Sequence, residues 1–246
     1  MSRTNLIALP LLAAMLAASA APRAVTISRE SALLDFDYSW SREAAEELAL
    51  DRRFRAEAET ERKNALETAR SDRSTRTEVD TFHAHDFGRA WSTSGRSRLL
   101  LSLVGVTSAY TGGAHPNHGS HALLWDRLRG REINLFDLTA TKTSWVAAIR
   151  RPFCILLDRE RAKRRDEPVR RDEMFGECPP LKDLTLAPAD HDRNGRFDHI
   201  DITADPYVAG PYVESDYEIS LPVTAGMLAR VKPAFRREFE AQPPVQ

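Results

Sequence analysis

Cysteine, glycine and one-sided charge are all scarce in this chain, and each shortage closes off a class of protein. Cys154 and Cys178 are the only two cysteines, too few for a disulfide-built miniature scaffold or a four-cysteine zinc site. Eleven glycines in 246 residues leave no glycine–serine linker, and no internal repeat is present. Basic side chains number 35 against 36 acidic, a balance that gives no reason to expect nucleic acid as a partner. No apolar run is longer than Leu6–Ala18, short of the roughly 20 residues a membrane-spanning helix needs. Phosphate and dinucleotide fingerprints, a nucleophile elbow, a Ser-x-x-Lys pattern and a zincin helix are also missing. No motif supports an enzyme.

What is present begins with an export signal. Arg3 gives a short positive start, LIALPLLAAMLAA (6–18) an apolar stretch, and Ala18-Ser19-Ala20 the small residues that signal peptidase needs. Pro10 and the shortness of the run argue against an anchor, and no cysteine follows it to carry a lipid. Residues 1–20 therefore read as a cleaved signal peptide, with a mature chain starting at or near Ala21 that is periplasmic or secreted and has no membrane span. In an oxidising compartment Cys154 and Cys178 suggest a disulfide. It would close a loop over the very polar segment DRERAKRRDEPVRRDEMFGE (158–177).

The pattern of elements predicts an α+β fold with antiparallel strands and three helices. DFDYSW (35–40) alternates as an opening strand should. Ser41 looks like an N-cap for one long helix over 42–70 with a thin apolar stripe of Ala44, Ala45, Leu48, Phe54, Ala58 and Leu66. A strand pair over about 77–92 and 97–110 follows, joined by a Ser94-Gly95-Arg96 turn, with His83 and His85 on one strand face. HALLWDRL and INLFDLT come next, separated by an Arg129-Gly130 turn. A helix from Ser144 to Arg165 carries Trp145, Val146, Ile149, Phe153, Leu156 and Leu157 on one face. The strands LTLAP, HIDITA and YEISLPV precede a last helix capped by Thr224 and running to about Glu240. Two intimately packed lobes are expected, 21–112 and 113–246. Arg150–Arg171 is rich in arginine, read as a solvated helix face or a docking patch for an anionic partner.

Three histidines, His115, His118 and His121, sit three apart, but Pro116 and Gly119 mark a turn that does not by itself converge their rings. DHDRNGRFDHID (190–201) carries the strongest chemical signal. Asp190, Asp192, Asn194 and Asp198 fall at positions 1, 3, 5 and 9 of a calcium loop, with Gly195 at position 6 and the Arg196 carbonyl at position 7. An ion-free turn rich in side-chain-to-backbone hydrogen bonds explains the same residues, and both readings stand at this point. A second candidate surface comprises Tyr110, Gly112, Gly113 and His115 in one loop and Tyr207 and Tyr212 in another. Glycine, proline and aromatic rings that interrupt strands often build recognition surfaces.

YTGGAHPN (110–117) followed by REINLFDLT (131–139), with DPYVAGPYVESDYEISLPV (205–223) near the end, resembles the extracytoplasmic domain of RsiV-like anti-sigma factors. The N-terminal part is similar to the companion domain that also precedes some peptidoglycan deacetylase modules. The resemblance implies a C-terminal fold likened to a piece of the heat-shock-cognate ATPase, without ATPase activity. It implies binding of an attacking lysozyme by this region in the sensing members, and it carries no catalytic residue over. Only five residues precede the apolar run, where an anti-sigma factor holds its sigma-binding segment.

The sequence thus reads as a non-enzymatic envelope protein that binds or senses a cell-wall component or a lysozyme-type glycan hydrolase. The rival reading is an envelope glycan-active enzyme using carboxylates from 183–218. The export reading is checked by mass spectrometry of the protein from its native host, which is expected to show a chain starting near Ala21. A full-length cytosolic chain would overturn it.

Overall fold

Successive side chains of a strand point to opposite faces, so an unbroken apolar run inside a strand needs cover on both sides. Leu100, Leu101 and Leu103 of one strand are covered in this way, between two separate hydrophobic cores. The computed structural model describes residues 23–76 and 82–244, so residues 1–20, expected to be a signal peptide, lie outside the described residues.

One sheet holds β1 (Val25–Glu30), β2 (Leu34–Trp40), β3 (His85–Arg96), β4 (Leu100–Tyr110), β5 (Asn117–Asp126) and β6 (Arg131–Ile133), in chain order. Neighbours are antiparallel except β2 and β3, which run parallel. The crossover between those two is made by α1 (Arg42–Glu46) and α2 (Leu48–Thr75), as a parallel pair requires. After α3 (Lys142–Arg165), a second, antiparallel sheet is built from β7 (Thr185–Ala189), β8 (His199–Ala204) and β9 (Tyr217–Pro222), and the short α4 (Ala225–Leu228) follows. The architecture is α+β. The loop at 111–116, where the sequence suggests a lobe boundary, joins β4 and β5 of a single sheet.

The first core lies between α2 and the large sheet. Leu34, Phe36, Tyr38 and Trp40 alternate inward from β2 and meet Leu50, Phe54 and Ala58, four apart on α2. Phe54 stacks on Trp91 at 5.2 Å between ring centroids, and the Trp91 indole donates to the Tyr38 hydroxyl at 3.0 Å. Gly105 of β4 makes room for that indole, because a Cβ there would come within 2.7 Å of it. Leu101, Leu103, Leu123 and Trp125 complete this core, whereas Leu100 and Leu124 face the second. There they pack with Trp145, Ile149, Phe153 and Leu157 of α3 and with Ile200 and Ile202 of β8.

Several expectations need correcting. The opening strand is preceded by β1, whose alternation is weak because most of it is exposed. The long helix is broken at Glu47, which adopts an extended conformation, and Leu48 is 72 % exposed rather than part of the apolar stripe. His83 precedes β3, and only His85 lies on that strand, where it is buried against Asp72. Gly95 sits in a β3 bulge instead of a turn; the turn is at 97–99. Its lack of a Cβ lets the Asp190 amide and the Phe197 ring approach, both of which a Cβ would meet within 2.9 Å. β5 begins at Asn117, so His118 and His121 lie on a strand and not in a turn. The last helix is a single turn: Thr224 caps it through Met227 N–H as expected, but Pro233 disfavours a helical Lys232. Val231 then bridges to Thr139 and Phe239 to Phe197.

Cys154 on α3 and Cys178 form a disulfide with Cα atoms 5.6 Å apart. It closes a loop of 24 residues' separation, worth about 3 kcal/mol through restriction of the unfolded chain. The double variant Cys154→Ser/Cys178→Ser is expected to lose roughly that much in urea-denaturation free energy.

Candidate functional site

The segment between β8 and β9, residues 205–216, carries two prolines, the exposed Tyr207 and the half-buried Tyr212, and left to itself it would be a loose loop. It is tied down at every turn. At its start the Asp205 carboxylate accepts from the Ser120 amide at 2.9 and 3.0 Å and from the Ser120 hydroxyl at 2.7 Å. Tyr207 adopts φ +69° and donates its N–H to the Gly210 carbonyl at 2.8 Å. Gly210 must be glycine, because a Cβ there would run into the Glu214 carboxylate and come 2.8 Å from the Tyr217 ring.

Three arginines of α3 complete the hold. Arg161, wholly buried, donates from Nε to the Ala209 carbonyl at 2.8 Å. Arg164 donates to the carbonyls of Glu214 and Asp216 at 2.6 and 2.7 Å while its guanidinium covers the Tyr217 ring at 4.1 Å. Arg165 grips the Glu214 carboxylate with two bonds of 2.9 Å, and the Tyr217 hydroxyl donates to the same carboxylate. Arg150 likewise donates to the carbonyls of Pro179 and Cys178. Much of the arginine-rich stretch is thus spent on internal backbone carbonyls, not on a docking patch.

On this frame the structure brings together the two loops singled out in the sequence. His115 stacks on Tyr212 with ring centroids 3.9 Å apart, and Tyr207 stands 6.1 Å from Tyr212. The Tyr212 hydroxyl donates to the Pro116 carbonyl at 3.1 Å, which the His115 Nδ1–H also reaches at 2.9 Å. Tyr110 closes its own loop by donating to the Gly113 carbonyl at 3.1 Å, across Gly112 and Gly113, whose φ values of +89° and +130° suit glycine. His118 bonds Asp216 through Nε2 at 2.8 Å. Tyr207 is 58 % exposed and Val213 90 %. The outcome is a held aromatic face with polar edges, suited to stacking against a sugar ring or a flat side chain. His121 lies apart, near Trp91, so the three spaced histidines do not converge.

The acidic loop is arranged differently from a list of convergent ligands. Asp190 accepts the amides of Asn194 and Gly195 at 3.0 and 2.9 Å, and Asp192 accepts the amide and side chain of Asn194. The Asn194 side chain accepts the Arg196 amide at 3.0 Å, and Gly195 has φ +85°. Asp198 is buried and turned toward His191 and His199. Burial, then the neighbouring Asp192, raise the Asp190 pKa against the pull of the loop amides. An oxygen-ligand spacing does not include these two histidines, which flank the turn at equal distance from Gly195.

The fold is that of solved DUF3298 family proteins. One from Pseudomonas aeruginosa PAO1 is 15 % identical with a TM-score of 0.56, covering 90 % of this chain and 98 % of its own. One from Bacteroides fragilis NCTC 9343 is 14 % identical with a TM-score of 0.52, covering 89 % and 97 %. No family profile matches the sequence, and no curated protein matches it.

Burial alone would push the Glu214 carboxyl up, but the bonds from Arg165 and Tyr217 outweigh it, and the group titrates below its ordinary range. A carboxyl lowered on folding contributes stability that is present above its unfolded pKa and lost as pH falls through the folded value. Urea unfolding is expected to show wild type more stable than Glu214→Gln at pH 6, with the gap closing below about pH 4. A gap unchanged down to pH 3 would assign Glu214 no such role.

Proposed function

We propose that this protein is a non-enzymatic, extracytoplasmic binding domain whose ligand docks on the surface formed by Tyr207, Tyr212, Val213 and His115. The observation that carries the reading is the rigid, partly exposed aromatic face built from two distant loops. Aromatic anchors on a preformed frame lose little conformational entropy on binding, which is why they dominate recognition surfaces. Support also comes from the disulfide, which fits an oxidising compartment, and from the sequence resemblance to RsiV-like extracytoplasmic domains. Among the described residues no helix is long and apolar enough to cross a membrane. The ligand class that fits these features is a cell-wall glycan or a lysozyme-type glycan hydrolase.

The rival, a glycan-active enzyme, draws on one observation: Asp190 has a raised pKa and lines an open groove of about 900 Å³ beside the bulge of β3. Against it, four of the carboxylates of 183–218 that such chemistry would draw on are engaged elsewhere. Asp201 is held by His191 and Ser220, Asp205 by Ser120, Glu214 by Arg165 and Asp216 by His118.

The test is a surface-binding assay of the purified protein against lysozyme and against soluble peptidoglycan fragments. Tyr207→Ala is expected to weaken binding by about tenfold or more with an unchanged circular dichroism spectrum, because its ring is largely exposed. Wild-type binding by this variant would rule out the surface. Peptidoglycan cleavage that Asp190→Asn abolishes would establish the rival.

A further inference from the structure

The hairpin between β7 and β8 holds a cluster that shares only Asp198 with the calcium spacing and nothing with the aromatic face. His191, Asp198 and His199 each present one ligand atom, and the three atoms lie within 4.8 Å of one another. The two imidazoles stack at 4.3 Å with only 13° between their planes. His199 Nδ1 is 3.0 Å from Asp198 Oδ1 but is not aligned for a hydrogen bond, and it is buried without any other partner. A cation shared by the two imidazoles and the carboxylate would give that buried nitrogen a partner.

The surroundings prepare the ligands. Asp201 accepts from His191 Nε2 at 3.0 and 3.1 Å and is itself held by the Ser220 hydroxyl at 2.8 Å. This is the carboxylate–histidine arrangement that orients a metal-binding imidazole and leaves its other nitrogen free. Asp198 is fixed through its backbone, donating N–H to the Ala189 carbonyl at 2.9 Å and accepting from Val223 N–H at 2.8 Å. The His191 amide donates to Asp198 Oδ1 at 3.0 Å, leaving Oδ2 as the remaining oxygen. The His191 side chain is 41 % exposed, which gives an ion a route from solvent.

We infer that His191, Asp198 and His199 form a binding site for a divalent transition-metal cation of the zinc type, with Asp201 orienting His191. Two nitrogens and one carboxylate oxygen match the preferences of zinc and its neighbours and are a poor match for calcium, which takes six to eight oxygens. Three protein ligands leave a fourth position for water or for a donor from a bound partner.

The test uses protein purified without a histidine tag, stripped with chelator, and titrated with zinc by calorimetry and by thermal melting. One equivalent is expected to bind and to raise the melting temperature, and cobalt is expected to give the intense visible bands of a tetrahedral site. His199→Gln should lose the binding. Asp201→Asn, which keeps all three ligands, should weaken it by about 10- to 100-fold. The triple variant His115→Gln/His118→Gln/His121→Gln should bind as wild type, which separates this site from the other spaced histidines. The inference is overturned if zinc leaves wild-type melting unchanged, if His199→Gln binds as tightly as wild type, or if calcium shifts the melting curve and zinc does not.

Discussion

The rest of the structure hangs on the two-sided burial of β4 and β5. Their side chains alternate between two cores, with Leu101, Leu103, Leu123 and Trp125 on one side and Leu100 and Leu124 on the other. Neither face can be left wet, so α2 must cover one, and α3 with the small sheet must cover the other. Gly105 is the clearest sign of how tightly this is fitted, since its missing side chain is the space that Trp91 occupies. A methyl group there would force the indole out of contact with Tyr38 and Phe54, and core overpacking of that kind typically costs about 1–3 kcal/mol.

The second organising feature is the use of arginine against backbone carbonyls. A loop that leaves the sheet exposes carbonyls that no strand partner can satisfy, and a buried carbonyl without a donor is expensive. A guanidinium carries five donors in a fixed fork, so one side chain can satisfy several carbonyls at once. Arg161 and Arg164 do this for the segment 209–216, where Arg165 instead grips the Glu214 carboxylate, and Arg150 does it for the residues beside the disulfide. Burying Arg161 lowers its pKa through desolvation, a cost offset by the bonds to Ala209 and Glu177.

How much of this was legible in the sequence follows from the range of each interaction. The strands and α3 were legible because alternation and the 3.6-residue period are local, and Trp145, Ile149, Phe153 and Leu157 fall on one face whatever they touch. The nearness of the two aromatic loops was legible in a weaker sense: each had residues that serve poorly as strand interior. The inward turn of the arginines is not legible, because charge density says nothing about direction, and a solvated row and an inward-facing row have the same composition. Gly95 was misread for a related reason. Glycine marks a turn or a close approach, and only the position of Asp190 and Phe197 distinguishes the two. The terminal helix failed at Pro233, where a periodic pattern outvoted a residue that ends helices.

The aromatic face and the histidine–carboxylate cluster stand at opposite ends of one strand. The loop 205–216 leaves the C-terminal end of β8, and His199 opens its N-terminal end. Six residues of extended chain separate them by roughly 15–20 Å, so a single sugar ring seated on Tyr207 does not reach the cluster. Any coupling would have to pass through β8. That strand has little freedom to transmit a shift, because Ile200, Ile202 and Ala204 are fully buried and both of its edges are paired, to β7 and to β9. An ion at the hairpin would therefore raise the stability of the small sheet by favouring the folded state. Seated at the far end of β8, it would act on the aromatic face only through that buried, doubly paired strand.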